Sequence, residues 1–148
     1  MLQTTRRQSL FVRSAQPGDI RQIEALLAAE DLDRSAFVLD DFVVAVDHAG
    51  QLAGCARLKQ YDDGVELSSV AVHLAYRGQG VGTSIIVALL RRPRTACVHL
   101  MCEPAEVPYF ARFGFVVQPR ESMPPSLQAK FAMYEMKVGT MVVMQRES

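Results

Sequence analysis

The chain has 148 residues with 16 basic and 16 acidic side chains, a balance that gives no electrostatic footprint for DNA or RNA. At 49% hydrophobic and 22% charged it is composed like an ordinary globular protein, and it is long enough to bury a core without staples. Its three cysteines, Cys55, Cys97 and Cys102, show no C-x-x-C spacing, which points away from a metal site or disulfide framework and toward reduced thiols in a cytoplasmic protein.

Residues 1–8 read as a loosely ordered start, and the stretch through Leu10 is too polar for a secretory leader. Nowhere does an apolar run approach the roughly 20 residues of a membrane span. Leu10-Phe11-Val12 begins a short strand. Pro17 suits a first helical turn and Asp19 its charge preference, while Ile20, Ile23, Leu26 and Leu27 recur at helical spacing as far as Glu30. Asp31 to Asp40 reads either as a short second helix or as an irregular lid. Phe42–Val46 and Gln51–Gln60 flank a polar turn ending in Gly50, and Tyr61-Asp62-Asp63-Gly64 turns into a further strand from Val65. The expectation is an antiparallel meander with four strands in a row after the first helix.

The stretch Glu66 to Ser84 organises the rest. Leu67, Val70, Ala71, Val72 and Leu74 have the composition of a buried strand, Gly78, Gly80 and Gly82 crowd the turn that follows, and Ile85 to Leu90 is an apolar helical run. A strand feeding a glycine-rich turn that opens a helix is a phosphate-holding geometry, because the first helical amides are unpaired and the dipole is positive there. The spacing fits neither a dinucleotide fingerprint nor a P-loop. Arg91, Arg92 and Arg94, interrupted by Pro93, read as a helix C-terminus. Beyond it, Ala96–Met101 is a fifth strand-like segment, Pro104–Arg112 a short helix stopped by Gly114, Pro119–Pro125 a loop, Ser126–Tyr134 a helix and Gly139–Met144 a last strand.

Arg77-Gly78-Gln79-Gly80-Val81-Gly82, preceded by Val70-Ala71-Val72, resembles the acetyl-CoA signature of the GNAT acetyltransferase superfamily. Tyr109-Phe110-Ala111-Arg112-Phe113-Gly114-Phe115 resembles that family's second signature, F-Y-x-x-x-G-F, at the right distance from the first. More narrowly, Glu66–His73 and the tail from Met123 through Lys130 and Tyr134 to Thr140–Met144 resemble the acetyltransferase domain of N-acetylglutamate synthases. The resemblance implies a single α/β (α+β) domain over residues 1–148. Its mixed central sheet would have six to seven strands, splayed between the fourth and fifth, with about four flanking helices.

It also implies an N-acetyltransferase that uses acetyl-CoA as co-substrate, without metal, on a small amino-acid-like amine such as glutamate. Backbone groups of Val70, Ala71 and Val72 would pair with the pantetheine arm as an added strand does. Amides from Arg77 through Gly78, Gln79, Gly80, Val81 and Gly82, with Thr83, would hold the pyrophosphate. Phe110 would lie along the cofactor, and Arg77 and Arg112 would either reach outer phosphates or stand as solvated charges. Glu66, flanked by Val65 and Leu67, is the candidate general base for the acceptor's ammonium. The family acid follows a phenylalanine and precedes the glycine by four; here that place holds Phe110, and Tyr109 sits one residue earlier, rotated by about 100° on a helix. Tyr109 is therefore the candidate acid at a shifted position, with water or another group as the alternative. Arg13, Arg57, Lys59, Lys130 and Lys137 are candidates to meet an acceptor carboxylate. Phe37 and Leu39 would line the acceptor wall or pack in the core, and Cys102 and Glu103 would face the amine or simply end a strand. A xenobiotic amine or a protein N-terminus is an alternative acceptor, and a non-catalytic acyl-CoA-binding module is the alternative class. The tail strand could pair with a second copy to form a homodimer.

Overall fold

Short β-branched runs punctuated by glycine and proline become the strands of the computed structural model, which describes residues 9–94 and 96–147. In chain order the elements are β1 (Phe11–Ser14), α1 (Ile20–Ala29), β2 (Phe42–Val46), β3 (Leu52–Tyr61), β4 (Gly64–Val72), α2 (Val81–Leu90), β5 (Val98–Cys102), α3 (Val107–Ala111), β6 (Val116–Val117), α4 (Pro125–Val138) and β7 (Val142–Arg146). They form one seven-stranded sheet in the order β1-β2-β3-β4-β5-β7-β6. The β4–β5 pairing is parallel, whereas β1–β2, β2–β3, β5–β7 and β6–β7 are antiparallel. A mixed sheet with four α-helices is the fold class expected.

Two details differ from expectation, and one that was open between two readings is decided. Only three strands separate α1 from the glycine turn, because the fourth member of the meander, β1, precedes the helix. The 31–40 segment is irregular, ending in a 3₁₀ turn over Leu39–Asp41. α4 continues to Val138, past the Tyr134 at which its apolar pattern stops, and ends where Gly139 takes a φ of 94° and donates its N–H to Glu135 O.

By contact the chain sorts into two compact units, the first running to Arg57 with Ser69–Arg92, the second comprising Leu58–Ser68 with the chain from Pro93. In the first, α1 buries Ile23, Leu26 and Leu27, one helical face, against Phe42, Val44, Leu52 and Ala71. α2 buries Val81, Ile85, Ile86 and Leu89 and approaches the sheet where β3 has no side chain. A Cβ on Gly54 would lie 2.9 Å from Ala71 O and 3.1 Å from both Ile85 Cδ1 and Val81 Cγ1. In the second unit, Leu127 and Phe131 of α4 pack with Met123 and Val143. There β5 pairs with β7 from Val98↔Arg146 to Cys102↔Val142.

Candidate active site

In the first unit, β4 ends at Val72, a 3₁₀ turn over Leu74–Tyr76 follows, and α2 starts at Val81. Gly78 and Gly80 both adopt φ of 78°, the left-handed region that glycine enters without strain. Gly80 is the N-cap of α2, and no side chain caps that helix. The first amides of α2 are thus presented beside a backbone stripped of Cβ atoms, the arrangement that suits a phosphate. A recess of about 160 Å³ lies against this turn, lined by Gln79, Gly80, Val81 and Ser84 together with Leu10, Val12 and Ala45. The Arg77 side chain donates from Nε to Val72 O at 3.2 Å and pairs with Glu30, so it braces the turn while staying half-exposed.

Just before the Val70–Val72 segment, Ser69 is itself left-handed, with φ of 57°. A non-glycine residue there carries strain that its surroundings must hold. Ser69 Oγ donates to Asp33 O at 2.8 Å and accepts from Arg57 Nε at 3.2 Å. Arg57 is wholly buried, donating also to Ala36 O and Asp33 O, each at 3.2 Å, and lying 3.3 Å from Asp33 Oδ2. Its guanidinium sits 5.4 Å from the centroid of Phe42, on which Phe37 stacks at 4.9 Å. Arg57 therefore ties the 33–37 loop to the kink in β4. Arg13 is likewise committed, with Nη1 and Nη2 at 2.6 and 3.2 Å from the Asp19 carboxylate.

The second unit holds Glu66, only 5% exposed. Its Oε1 accepts from Tyr61 OH at 2.9 Å and from Lys130 Nζ at 2.6 Å, and no described residue bonds Oε2. Lys59 Nζ and Lys130 Nζ lie 5.4 and 6.0 Å from the Tyr61 ring centroid. Burial, joined by the neighbouring carboxylate, pushes the Tyr61 hydroxyl up to about 12, so it stays a donor at neutral pH. Lys130, one of the cations considered for an acceptor carboxylate, is here the partner of the candidate base. The sequence contained only a weak signal for Tyr61, which reads as a turn residue, and for His99, a lone polar residue inside an apolar strand. The parallel ladder pairs Val65 with Val98 and makes His99 the rung partner of Glu66.

On α3, Phe110 turns inward, 9% exposed, edge-on to Phe115 at 6.3 Å. Tyr109 is half-buried, edge-on to Phe110 at 5.1 Å and to Phe113 at 5.3 Å, and Arg112 is exposed. The one-residue shift read from the sequence thus separates the two aromatic side chains into different directions. Cys102 is buried, its Sγ 3.8 Å from Met144 Sδ, and Glu103 forms a capping box with Glu106 at the start of the next turn. Lys137 lies exposed near the end of α4. Among the described residues there is no group of three or more His, Cys, Asp or Glu placed to hold a metal ion, and no helix long and apolar enough to cross a membrane.

The family model for an acetyltransferase (GNAT) domain matches residues 39–117, more than half of the chain. Among solved structures, N-acetylglutamate synthase from Neisseria gonorrhoeae complexed with coenzyme A and N-acetyl-glutamate superposes with a TM-score of 0.73 at 20% identity, over 96% of this chain and 36% of that one. This chain therefore spans about a third of the length of that synthase. Rv2747 from Mycobacterium tuberculosis, in complex with CoA and NLQ, gives a TM-score of 0.73 at 22% identity, over 93% of this chain and 99% of that one. Escherichia coli ElaA gives 0.67 at 17% identity, covering 94% and 100%. At these identities the likeness is one of fold.

Proposed function

Because the chain belongs to the GNAT acetyltransferase family, we propose that it transfers the acetyl group of acetyl-CoA to the primary amine of a small, amino-acid-like acceptor. The observation that carries this reading is the uncapped start of α2 behind two left-handed glycines, directly after β4. In this reading the pyrophosphate rests on the amides of the 77–83 turn, and the pantetheine arm pairs with the backbone of Val70–Val72. The family likeness, and the CoA in the neighbouring structures, support that placement. Amides near Val72 polarise the thioester carbonyl. Glu66 draws a proton from the acceptor's ammonium through Oε2, the oxygen not taken by Tyr61 and Lys130. Tyr109, at its shifted place, is the candidate to protonate the thiolate.

Glutamate heads the acceptors to test because of the synthase likeness. Arg13 and Arg57 are engaged by Asp19 and Asp33, however, which favours an amine less acidic than a dicarboxylate. Phe110 at the place of the family tyrosine favours, as a second reading, a module that binds acyl-CoA without turning it over. CoA release from acetyl-CoA, measured with a panel of amino acids, xenobiotic amines and peptide N-termini, separates these. Turnover with one acceptor, reduced about 100-fold or more in kcat by Glu66→Gln, is the expected result. Tight binding with no turnover on any acceptor selects the module, and no binding of acetyl-CoA removes the reading altogether.

A further inference from the structure

His99 is 6% exposed on β5, and its Nδ1 has no hydrogen-bond partner among the described residues. Buried polar atoms in native proteins are nearly always paired, so an orphan of this kind calls for an explanation. Its position supplies one. As the rung partner of Glu66 it projects from the same face of the sheet, with the two Cα atoms about 4.8 Å apart. Gln145 of β7 flanks it on the other side. The charged groups placed next to it are Glu66 on the same rung and Asp63 at the β3–β4 turn, whose Oδ2 also accepts from Ser126 N at 3.0 Å, while Glu66 is itself held by Tyr61 of β3 and Lys130 of α4. Burial holds the imidazole below its ordinary range, outweighing the opposite pull of Asp63, so His99 is neutral at neutral pH. An uncharged imidazole, a proton acceptor whose Nδ1 has no partner among the described residues, thus stands on the same rung as the candidate base Glu66.

The chemistry of amine acetylation needs two such acceptors. An ammonium must lose one proton to become a nucleophile, and the nitrogen is cationic again once it has attacked the thioester. Resting on the acetyl-transfer reading above, we propose that His99 is the second proton acceptor of this site: Glu66 takes the first proton and His99 Nδ1 takes the proton of the tetrahedral intermediate. In that sequence the N–C bond forms as the carbonyl π pair moves to oxygen, and the nitrogen gives its proton to His99. The C–S bond then breaks as the oxygen pair returns, the thiolate takes its proton from Tyr109, and the imidazolium gives its proton back to Tyr109 through solvent. Glu66 releases its own proton to solvent, so ammonium and acetyl-CoA become amide, CoA thiol and one proton.

Two measurements test this. In ¹⁵N-labelled wild type at neutral pH, long-range ¹H–¹⁵N spectra of the imidazole should show an unprotonated Nδ1; a proton resident on Nδ1 overturns the proposal without touching the acetyl-transfer reading. With the fastest acceptor of the panel, log kcat of the wild type should fall toward acid with a limiting slope of two, and with a slope of one in both Glu66→Gln and His99→Gln. His99→Gln should also lose about 100-fold in kcat while retaining acetyl-CoA affinity and thermal midpoint. Loss of activity with the slope of two preserved, or no loss, assigns His99 a structural role and overturns the proposal. Should His99→Gln not fold, His99→Asn and the nitrogen spectra keep the test open. Absence of wild-type turnover removes both readings together.

Discussion

Arg57 shows how one side chain can serve structure where its charge suggests a ligand. With no exposure and four oxygen partners, its removal leaves the Asp33 carboxylate, two carbonyls and a hydroxyl without their donor. Arg57→Met should therefore lower the unfolding free energy by about 3–5 kcal/mol, read by urea denaturation. Arg57→Lys should recover little, because an ammonium cannot span the fork of the guanidinium. Asp19 makes a second prediction. The Arg13 guanidinium, then the Gln16 amide at 2.8 Å, hold its carboxyl below the usual range against the contrary effect of burial. Its folded value is depressed, so the stability it contributes is complete above its unfolded value of about 3.9 and is lost as pH falls through the lower folded one. Asp19→Asn should lower stability at neutral pH and flatten the acid limb of a stability–pH curve.

Among the elements, glycines with the same letter have different work. Gly80 has open space around its missing Cβ, so Gly80→Ala meets only the strain of φ at 78°, about 1–2 kcal/mol of stability. It should weaken acetyl-CoA binding in calorimetry more than that cost explains, since the methyl stands beside the helix amides. Gly54→Ala meets backbone and two side chains of α2 and should destabilise the fold by about 1–3 kcal/mol with a smaller effect on the turn. The glycine turn was legible because glycine spacing encodes positive φ directly, and α1 because Ile23, Leu26 and Leu27 share one face. Arg57 was not, since its burial depends on the path of the aperiodic 33–37 loop. The far end of α4 was missed because Met133 and Met136 are exposed and continue no apolar stripe. The Glu66–His99 rung could not be read either, because the register of two parallel strands is fixed by the crossover between them and not by either strand's own pattern.

For the molecule as a whole, the three thiols divide by access. Burial pushes Cys55 up to about 12 and Cys102 up to about 11, whereas Cys97 is half-buried. A chromogenic disulfide reagent should titrate no more than one thiol in the native protein and all three in denaturant; prompt reaction of Cys55 or Cys102 under native conditions would contradict their placement. The order of the sheet has a consequence of another kind. β7 lies between β5 and β6 although it follows both in the chain. On the ribosome, β5 and β6 emerge before the strand that lies between them, and the β7-side partners of Val98 through Cys102 arrive only with Val142 to Arg146. This part of the sheet must close after the whole of β7 has been synthesised, and until then the nascent chain offers the bare edge of β5 to any chaperone that binds extended peptide.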